Sequence, residues 1–373
     1  MQGIYYNDSR YIEKINYFRT INNWSIIITF MAVENKFDLI PAIPSELLSQ
    51  FLNDNVIVFV GNGISRLAGV PSWRELALRY LENWFEKGNL SYDAYNKLKD
   101  ESDPLTLLTI CAGKLGKDEL KNELYARLTQ FIKQDSEEEK KILRIYRYIR
   151  DFHAGYITTN YDDYLEMSTP TSEIEDLQGI EFLQPYKINL QKTLNRLGLN
   201  DKMEKARDSI VYLHGKASKL GVVEKDAVRN DIILTLEDYL EHYKDDDGLG
   251  KTFLSNVFAN HVFLFIGFGL KEFEIIQHIR RPDNSHSHYI LLGVSDYEYD
   301  ISDQYRNYYS ILNITPVFYS TSQKGYAQLE DVLREWSLNI RTARMERLKN
   351  LQNAEQKAKN LENIRRLGNG TFR

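Results

Sequence analysis

Five consecutive apolar residues, Val56 to Val60, run without a polar interruption into Gly61-Asn62-Gly63. A run this short, rich in β-branched residues and closed by glycine, reads as a buried strand entering a tight turn. Helical spacing resumes after a short linker. Glycines at such a turn let backbone N–H groups approach a ligand, and a following helix N-terminus favours a phosphate. A nucleotide site is therefore the first hypothesis. The dinucleotide fingerprint G-x-G-x-x-G fails at Arg66, where the third glycine belongs. Taken alone, the stretch fits a plain strand-turn-helix junction equally well.

The pattern repeats along the chain. Strand composition returns at 156–159, 210–213, 232–234, 262–266, 288–294 and 314–319, with helical spacing between. Strands alternating with helices imply a parallel sheet covered on both faces, an α/β Rossmann-like fold. Pro44-Ser45-Glu46 reads as the capped start of an amphipathic helix leading into the first strand. Residues 74–150 break the alternation. They carry helical patterns at 92–100, 104–115, 118–133 and 137–150, and read as a helical block inserted in the α/β chain. Its aromatic residues read as core. Another charged helical stretch is expected at 189–207, and a helix over Leu270–Ile279.

The expected organisation is an N-terminal extension over 1–34, an α/β domain over 35–338 and a basic helical tail over 339–373. Met31 offers an alternative start. Residues 341–373 hold nine Arg or Lys against three Glu, so this segment is +6 while the remainder is −12. Leu351, Ala354, Ala358 and Leu361 have heptad-like spacing, too few for a coiled-coil assignment. The tail is either a solvated helix or one that docks an acidic neighbour, a sister subunit or nucleic acid.

Composition narrows the function classes. A net charge of −6 over 373 residues gives no general affinity for nucleic acid. The single cysteine, Cys111, excludes an internal disulfide and a multi-cysteine zinc site, and fits a reducing compartment. No segment reaches the roughly 20 apolar residues needed to span a bilayer, and no secretory signal is recognisable. A cytoplasmic location without membrane attachment is expected.

Four strand ends carry suggestive residues: Gly61 to Ser65, Thr158 to Asp162, Leu213 to Gly215, and Gly267 to Gly269. In open α/β sheets ligands sit outside the carboxyl ends of strands. Asn160 and Asp162 are placed there for chemistry, yet both residue types are also ordinary helix caps. His214 after a strand and before a glycine is exposed at the same sheet edge, although lone histidines are usually structural.

Together, in this order, the four segments resemble the sirtuin fold, and more closely the sirtuin-like NADase domains of bacterial anti-phage defence proteins. The resemblance covers roughly residues 45–335. The family's G-x-G-x-S loop and G-x-P-S-W segment are matched by Gly61, Gly63 and Ser65 and by Gly69-Val70-Pro71-Ser72-Trp73. The T-T-N-Y-D segment is matched by Thr158 to Asp162, L-H-G by Leu213 to Gly215, and the late strand-then-glycine segment by Phe265 to Gly269.

The resemblance implies roles. Gly61, Gly63 and Ser65 would hold the NAD+ diphosphate. Asn160 and Asp162 would face the nicotinamide-side ribose, and His214 would be the general base; these three form the catalytic set. Gly267 and Phe268 would lie along the adenosine half. Asn62, Trp73, Thr159, Tyr161 and Gly269 complete the cofactor-binding set. Asn62 stands where the family commonly has alanine, and Trp73 replaces the Phe-Arg character of deacetylases. The four-cysteine zinc site of deacetylating sirtuins cannot form, so no metal is expected and water becomes the nucleophile.

The activity implied is cleavage of NAD+ to nicotinamide and ADP-ribose, as a defence effector that depletes NAD+. The alternatives are a non-catalytic NAD or ADP-ribose sensor or scaffold, and an ADP-ribosyl or deacylase-type transferase. Relatives of this compact type often act with an ATPase of the HerA translocase class. A homo-oligomer and such a hetero-complex are therefore expected, with no direct nucleic-acid binding by the core.

Overall fold

Val56–Val60 is a strand whose side chains divide by parity. Val56, Val58 and Val60 enter one apolar cluster, while Ile57 and Phe59 enter another. A strand buried on both faces reads as a continuous apolar run for this reason. The computed structural model describes residues 36–67, 69–117, 119–120, 124, 136–168, 210–215, 232–243, 249–270, 273–279 and 287–368.

Six strands are described: β1 (Val56–Val60), β2 (Gly155–Thr158), β3 (Ile210–Tyr212), β4 (Val262–Ile266), β5 (His288–Val294) and β6 (Ile314–Ser320). They form one sheet in the order β3-β2-β1-β4-β5-β6, and every neighbouring pair is parallel. This is the doubly wound α/β order. Strand order reverses between β1 and β4, the switch point outside which ligands bind in sheets of this kind.

Helices precede and follow β1: α1 (Ser45–Leu52), α2 (Asn62–Arg66), α3 (Trp73–Glu86), α4 (Tyr92–Lys99), α5 (Pro104–Leu115) and α6 (Glu137–Arg150). After β2 come α7 (Tyr164–Met167), α8 (Leu236–His242), α9 (Leu249–Asn260), α10 (Phe273–Ile279), α11 (Ser302–Ser310) and α12 (Gln328–Gly368). One face of the sheet packs against α1, α6 and α12, through Phe51, Ile145, Ile149 and Trp336 among others. The opposite face packs against α9, α10 and α11, through Phe253, Phe258, Ile275 and Tyr309.

The helices between β1 and β2 divide between two cores. Helices α3 and α5 bury Leu76, Tyr80, Leu81, Leu107, Leu108 and Cys111 against one another, and Tyr161, Ile232 and Leu234 join them. Helix α6 instead lies on the sheet. Its stripe of Ile142, Ile145, Tyr146 and Ile149 is buried there.

Some local expectations are corrected. Helix α1 has Pro44 at its N-cap with no side-chain cap bond, so Ser45 is its first residue and not its cap. Ile232–Leu234 is not a strand. The Leu234 and Thr235 amides donate to the Asp238 carboxylate at 3.0 and 2.9 Å, so they serve the start of α8 instead of a ladder. Ile233 alone bonds back, donating to the His214 carbonyl at 3.0 Å. Leu270, at φ 46°, lies outside helix α10, which begins at Phe273 and not at Leu270. Residues 1–34 and 189–207 and most of 118–133 lie outside the described residues.

Helix α12 runs 41 residues and crosses position 338 without a break. Trp336 Nε1 donates to the Pro41 carbonyl at 2.8 Å. Arg344 then donates to Asp54 Oδ1 at 2.8 Å and to the Phe51, Phe152 and His153 carbonyls at 2.6, 3.3 and 3.4 Å. These carbonyls close α1 and follow α6, so a buried cation sits at the negative ends of two helices. Side chains at 351–360 are all exposed.

Candidate functional site

Four adjacent strand ends, those of β3, β2, β1 and β4, converge at the switch point. The β1 and β4 ends touch through backbone. The Gly61 amide donates to the Ile266 carbonyl at 2.9 Å and the Gly63 amide to the Gly267 carbonyl at 2.8 Å. A Cβ on Gly61 would stand 2.5 Å from Gly267 O, and one on Gly63 would stand 2.7 Å from it. Gly267 itself has φ +63°. The three glycines are thus required by the contact of two loops, and two of their amides are already bonded within the fold. Asn62 has a definite part in this loop: its Nδ2 donates to the Pro71 carbonyl at 3.1 Å and ties off the turn. Phe268 packs into the core, its ring 4.4 Å from that of Phe59, while Gly269 is exposed.

Ser65, Asn160 and Asp162 come together, joined by a core residue, Tyr146 of α6. Ser65 Oγ donates to Asp162 Oδ2 at 2.6 Å and lies 2.9 Å from the Tyr146 hydroxyl. Asn160 Nδ2 reaches Ser65 Oγ and the Tyr146 oxygen, both at 3.1 Å, and the Gly61 carbonyl at 3.3 Å. The Tyr146 hydroxyl is 3.5 Å from Asp162 Oδ1. Ser65 is fully buried, and none of these four residues is more than 7% exposed. Asn160 is not a helix cap. Asp163 holds the N-cap position of α7, with no side-chain bond there.

Burial pushes the Asp162 carboxyl up to about 6, against the lowering effect of the Ser65 hydroxyl, and Asp163 adds to the rise. Burial likewise raises Tyr146 well above its ordinary value, so it stays protonated. Thr158 supports the array: its Oγ1 donates to the Val60 carbonyl at 2.8 Å and accepts the Asn160 amide at 3.0 Å. Thr159 is buried beside it.

Asn160 Oδ1 is the exception to this bonding. It is buried and accepts no hydrogen bond among the described residues. Buried polar atoms without partners are rare and call for a reason. An acceptor held ready for a hydroxyl or a water is one that fits the geometry.

His214 follows β3 and occupies a second, aromatic pocket. It is fully buried. Its Nε2 lies 3.2 Å from the Tyr239 hydroxyl. Rings of Trp73, Tyr161, Tyr239 and Tyr243 have centroids 5.7, 6.4, 5.1 and 6.4 Å from the imidazole. The sequence explains this enclosure. Ser72 and Glu75 form a capping box that makes Trp73 the first residue of α3. Thr235 and Asp238 form another that starts α8 and brings Tyr239 over the imidazole. Trp73 stacks on Tyr161 with rings 2° from parallel, and the Tyr161 hydroxyl donates to the Ile233 carbonyl at 2.6 Å. His214 is thus covered, not exposed as the strand-end pattern suggests.

Among the described residues, no group of three or more His, Cys, Asp or Glu is arranged to hold a metal ion, and no helix is long and apolar enough to cross a membrane.

Residues 154–316 match a family described as the SIR2-like domain. The match includes Asn160, Asp162, His214 and Gly267 to Gly269, while Gly61 to Ser65 and Tyr146 precede it. Defense-associated sirtuin 2 of Bacillus subtilis is 23% identical over 235 residues, 62% of this chain and 19% of that protein. The matched part is thus about a fifth of the length of this relative. The six-stranded parallel sheet with helices on both faces is the Rossmann-like architecture that the SIR2-like domain resemblance implies.

Proposed function

We propose that the chain is an NAD+ hydrolase that releases nicotinamide and ADP-ribose, and that it serves in defence against phage by depleting NAD+. The observation that carries this reading is the buried array around Asn160, whose Oδ1 accepts no hydrogen bond among the described residues, at the end of the strand paired with the one that His214 follows. SIR2-like domains use NAD+, and the matching Bacillus protein is described as defence-associated. Both support the reading.

The chemistry asks for two things. Breaking the N-glycosidic bond leaves an oxocarbenium-like ribose, so positive charge must be stabilised. The nicotinamide departs neutral and needs no proton. A water must lose a proton as its oxygen bonds to the ribose carbon. Asp162, ionised above about pH 6, supplies negative charge through Ser65. Asn160 Oδ1 accepts from a ribose hydroxyl or the water. His214 takes the proton, a task suited to an imidazole and typically worth about 10²–10⁴ in rate.

Assembly is also proposed, on resemblance alone: a homo-oligomer, and a complex with a HerA-type ATPase that gates the activity. The direct test is to incubate the protein with NAD+ and quantify nicotinamide and ADP-ribose. Release that disappears in Asn160→Ala and His214→Ala is expected. NAD+ binding without turnover, even with a partner ATPase present, would refute it.

A further inference from the structure

Donor and acceptor accounting around Asn160 has a definite direction. Ser65 gives its one hydrogen to Asp162 at 2.6 Å, so toward its other neighbours Ser65 can only accept. Its neighbour Tyr146 then gives its one hydrogen to Ser65 Oγ at 2.9 Å or to Asp162 Oδ1 at 3.5 Å. The Tyr146 oxygen keeps its lone pairs, and it and Ser65 Oγ each lie 3.1 Å from Asn160 Nδ2, with the Gly61 carbonyl at 3.3 Å. Three acceptors face two amide hydrogens. Turning the amide over would set Oδ1 against a Gly61 carbonyl and a Ser65 oxygen that have no hydrogen to give, and against a Tyr146 hydroxyl whose one hydrogen is already taken by Ser65 or Asp162. The nitrogen is therefore held inward and Oδ1 is left buried with no partner among the described residues.

We propose that Tyr146 is a positioning residue, whose hydroxyl, with Ser65, locks the Asn160 amide so that it offers a ligand an acceptor only. The group that reaches Asn160 must then donate, as a sugar hydroxyl or a water does, and an acceptor-only group is rejected. Tyr146 lies on α6, ahead of the matched SIR2-like residues, and its phenol is fixed by the apolar stripe packed on the sheet. Nothing about a tyrosine in such a stripe marks it in the sequence.

The inference rests on the NAD+ hydrolase reading, and the test separates the two. ADP-ribose affinity, measured by calorimetry, and NAD+ turnover are compared for the full chain, Tyr146→Phe, Asn160→Ala and the double variant. Tyr146→Phe keeps the ring and should melt within a few degrees of the parent. It is expected to weaken ADP-ribose binding or lower kcat about tenfold, the worth of one hydrogen bond in a buried array. In the Asn160→Ala background the same change should do nothing to affinity, because Tyr146 acts through Asn160. A Tyr146→Phe protein that binds and turns over like the parent, or an effect of equal size with and without Asn160, would overturn the inference alone. A parent protein that neither binds ADP-ribose nor consumes NAD+ would overturn the hydrolase reading and this inference with it.

Discussion

Asp162→Asn should make the protein more stable at neutral pH, and by an amount that depends on pH in one direction. The carboxyl is buried, and its pKa in the folded protein is about 6 against an ordinary 3.8. Between those values the unfolded chain holds the ionised form while the folded chain holds the acid. The contribution to stability is therefore fully present below about pH 4 and is lost as pH rises through 6. The gap of about 2 units corresponds to about 3 kcal/mol against the folded state at pH 8. Asparagine keeps an oxygen for the Ser65 hydroxyl and carries no charge, so the variant escapes this loss. Relative to the parent it should gain about 2 kcal/mol between about pH 4.5 and about pH 8. In melting temperature a 3 kcal/mol difference amounts to about 4 °C for a chain this long. Urea denaturation of both proteins across that range measures the effect. A difference that stays constant with pH, or a parent that gains on the variant as pH rises, would refute the reasoning.

Other consequences follow from single contacts. Gly63→Ala should cost about 1–3 kcal/mol, since its Cβ would stand 2.7 Å from a backbone oxygen and neither loop can move without the other. Gly113→Ala, at a helical position with nothing within 4 Å, should instead stabilise by about 0.5–1 kcal/mol, so chemical denaturation of the pair separates close packing from glycine content. Arg344→Ala should cost about 2–3 kcal/mol by the same measurement, because three carbonyls and Asp54 lose a buried donor, whereas exposed Arg347 should cost less than about 1 kcal/mol.

The sheet was legible because its signal is local. Val56–Val60 and Val262–Ile266 are buried on both faces, and only near-continuous apolar runs satisfy that. Ile232–Leu234 has the same composition and is not a strand, because Asp238, four residues on, takes the Leu234 amide. Composition cannot report that competition. The site shows a similar division. Asn160 and His214 stood out by their position at strand ends. Tyr146 and Tyr239 did not, since each reaches the site from a helix whose facing is set only by packing. Ser65 was legible as part of a loop, yet its partners are Asp162 and Asn160, 97 and 95 residues away. A long-range bond of that kind leaves no mark in spacing.

Burial sharpens what the hydrolase reading must include. A general base has to meet water, and His214 has no exposed surface while its Nε2 faces the Tyr239 hydroxyl. The cover is made by Trp73 at the start of α3 and by Tyr239 on α8. Helix α8 is in turn held to the helical block: Thr109 Oγ1 accepts the Leu236 amide at 2.9 Å, and Lys117 pairs with Glu237 at 2.5 Å. The ion pair is partly exposed and contributes about 1 kcal/mol or less, so this hold is modest. Asn160 is enclosed differently, by donors and acceptors that it needs for its orientation. Opening the site at Asn160 would destroy the arrangement that makes it an acceptor. Opening it at Tyr239 frees His214 and leaves the Ser65–Asp162–Tyr146 array intact. On the hydrolase reading, the aromatic wall is the one that can open without disturbing the orientation of Asn160.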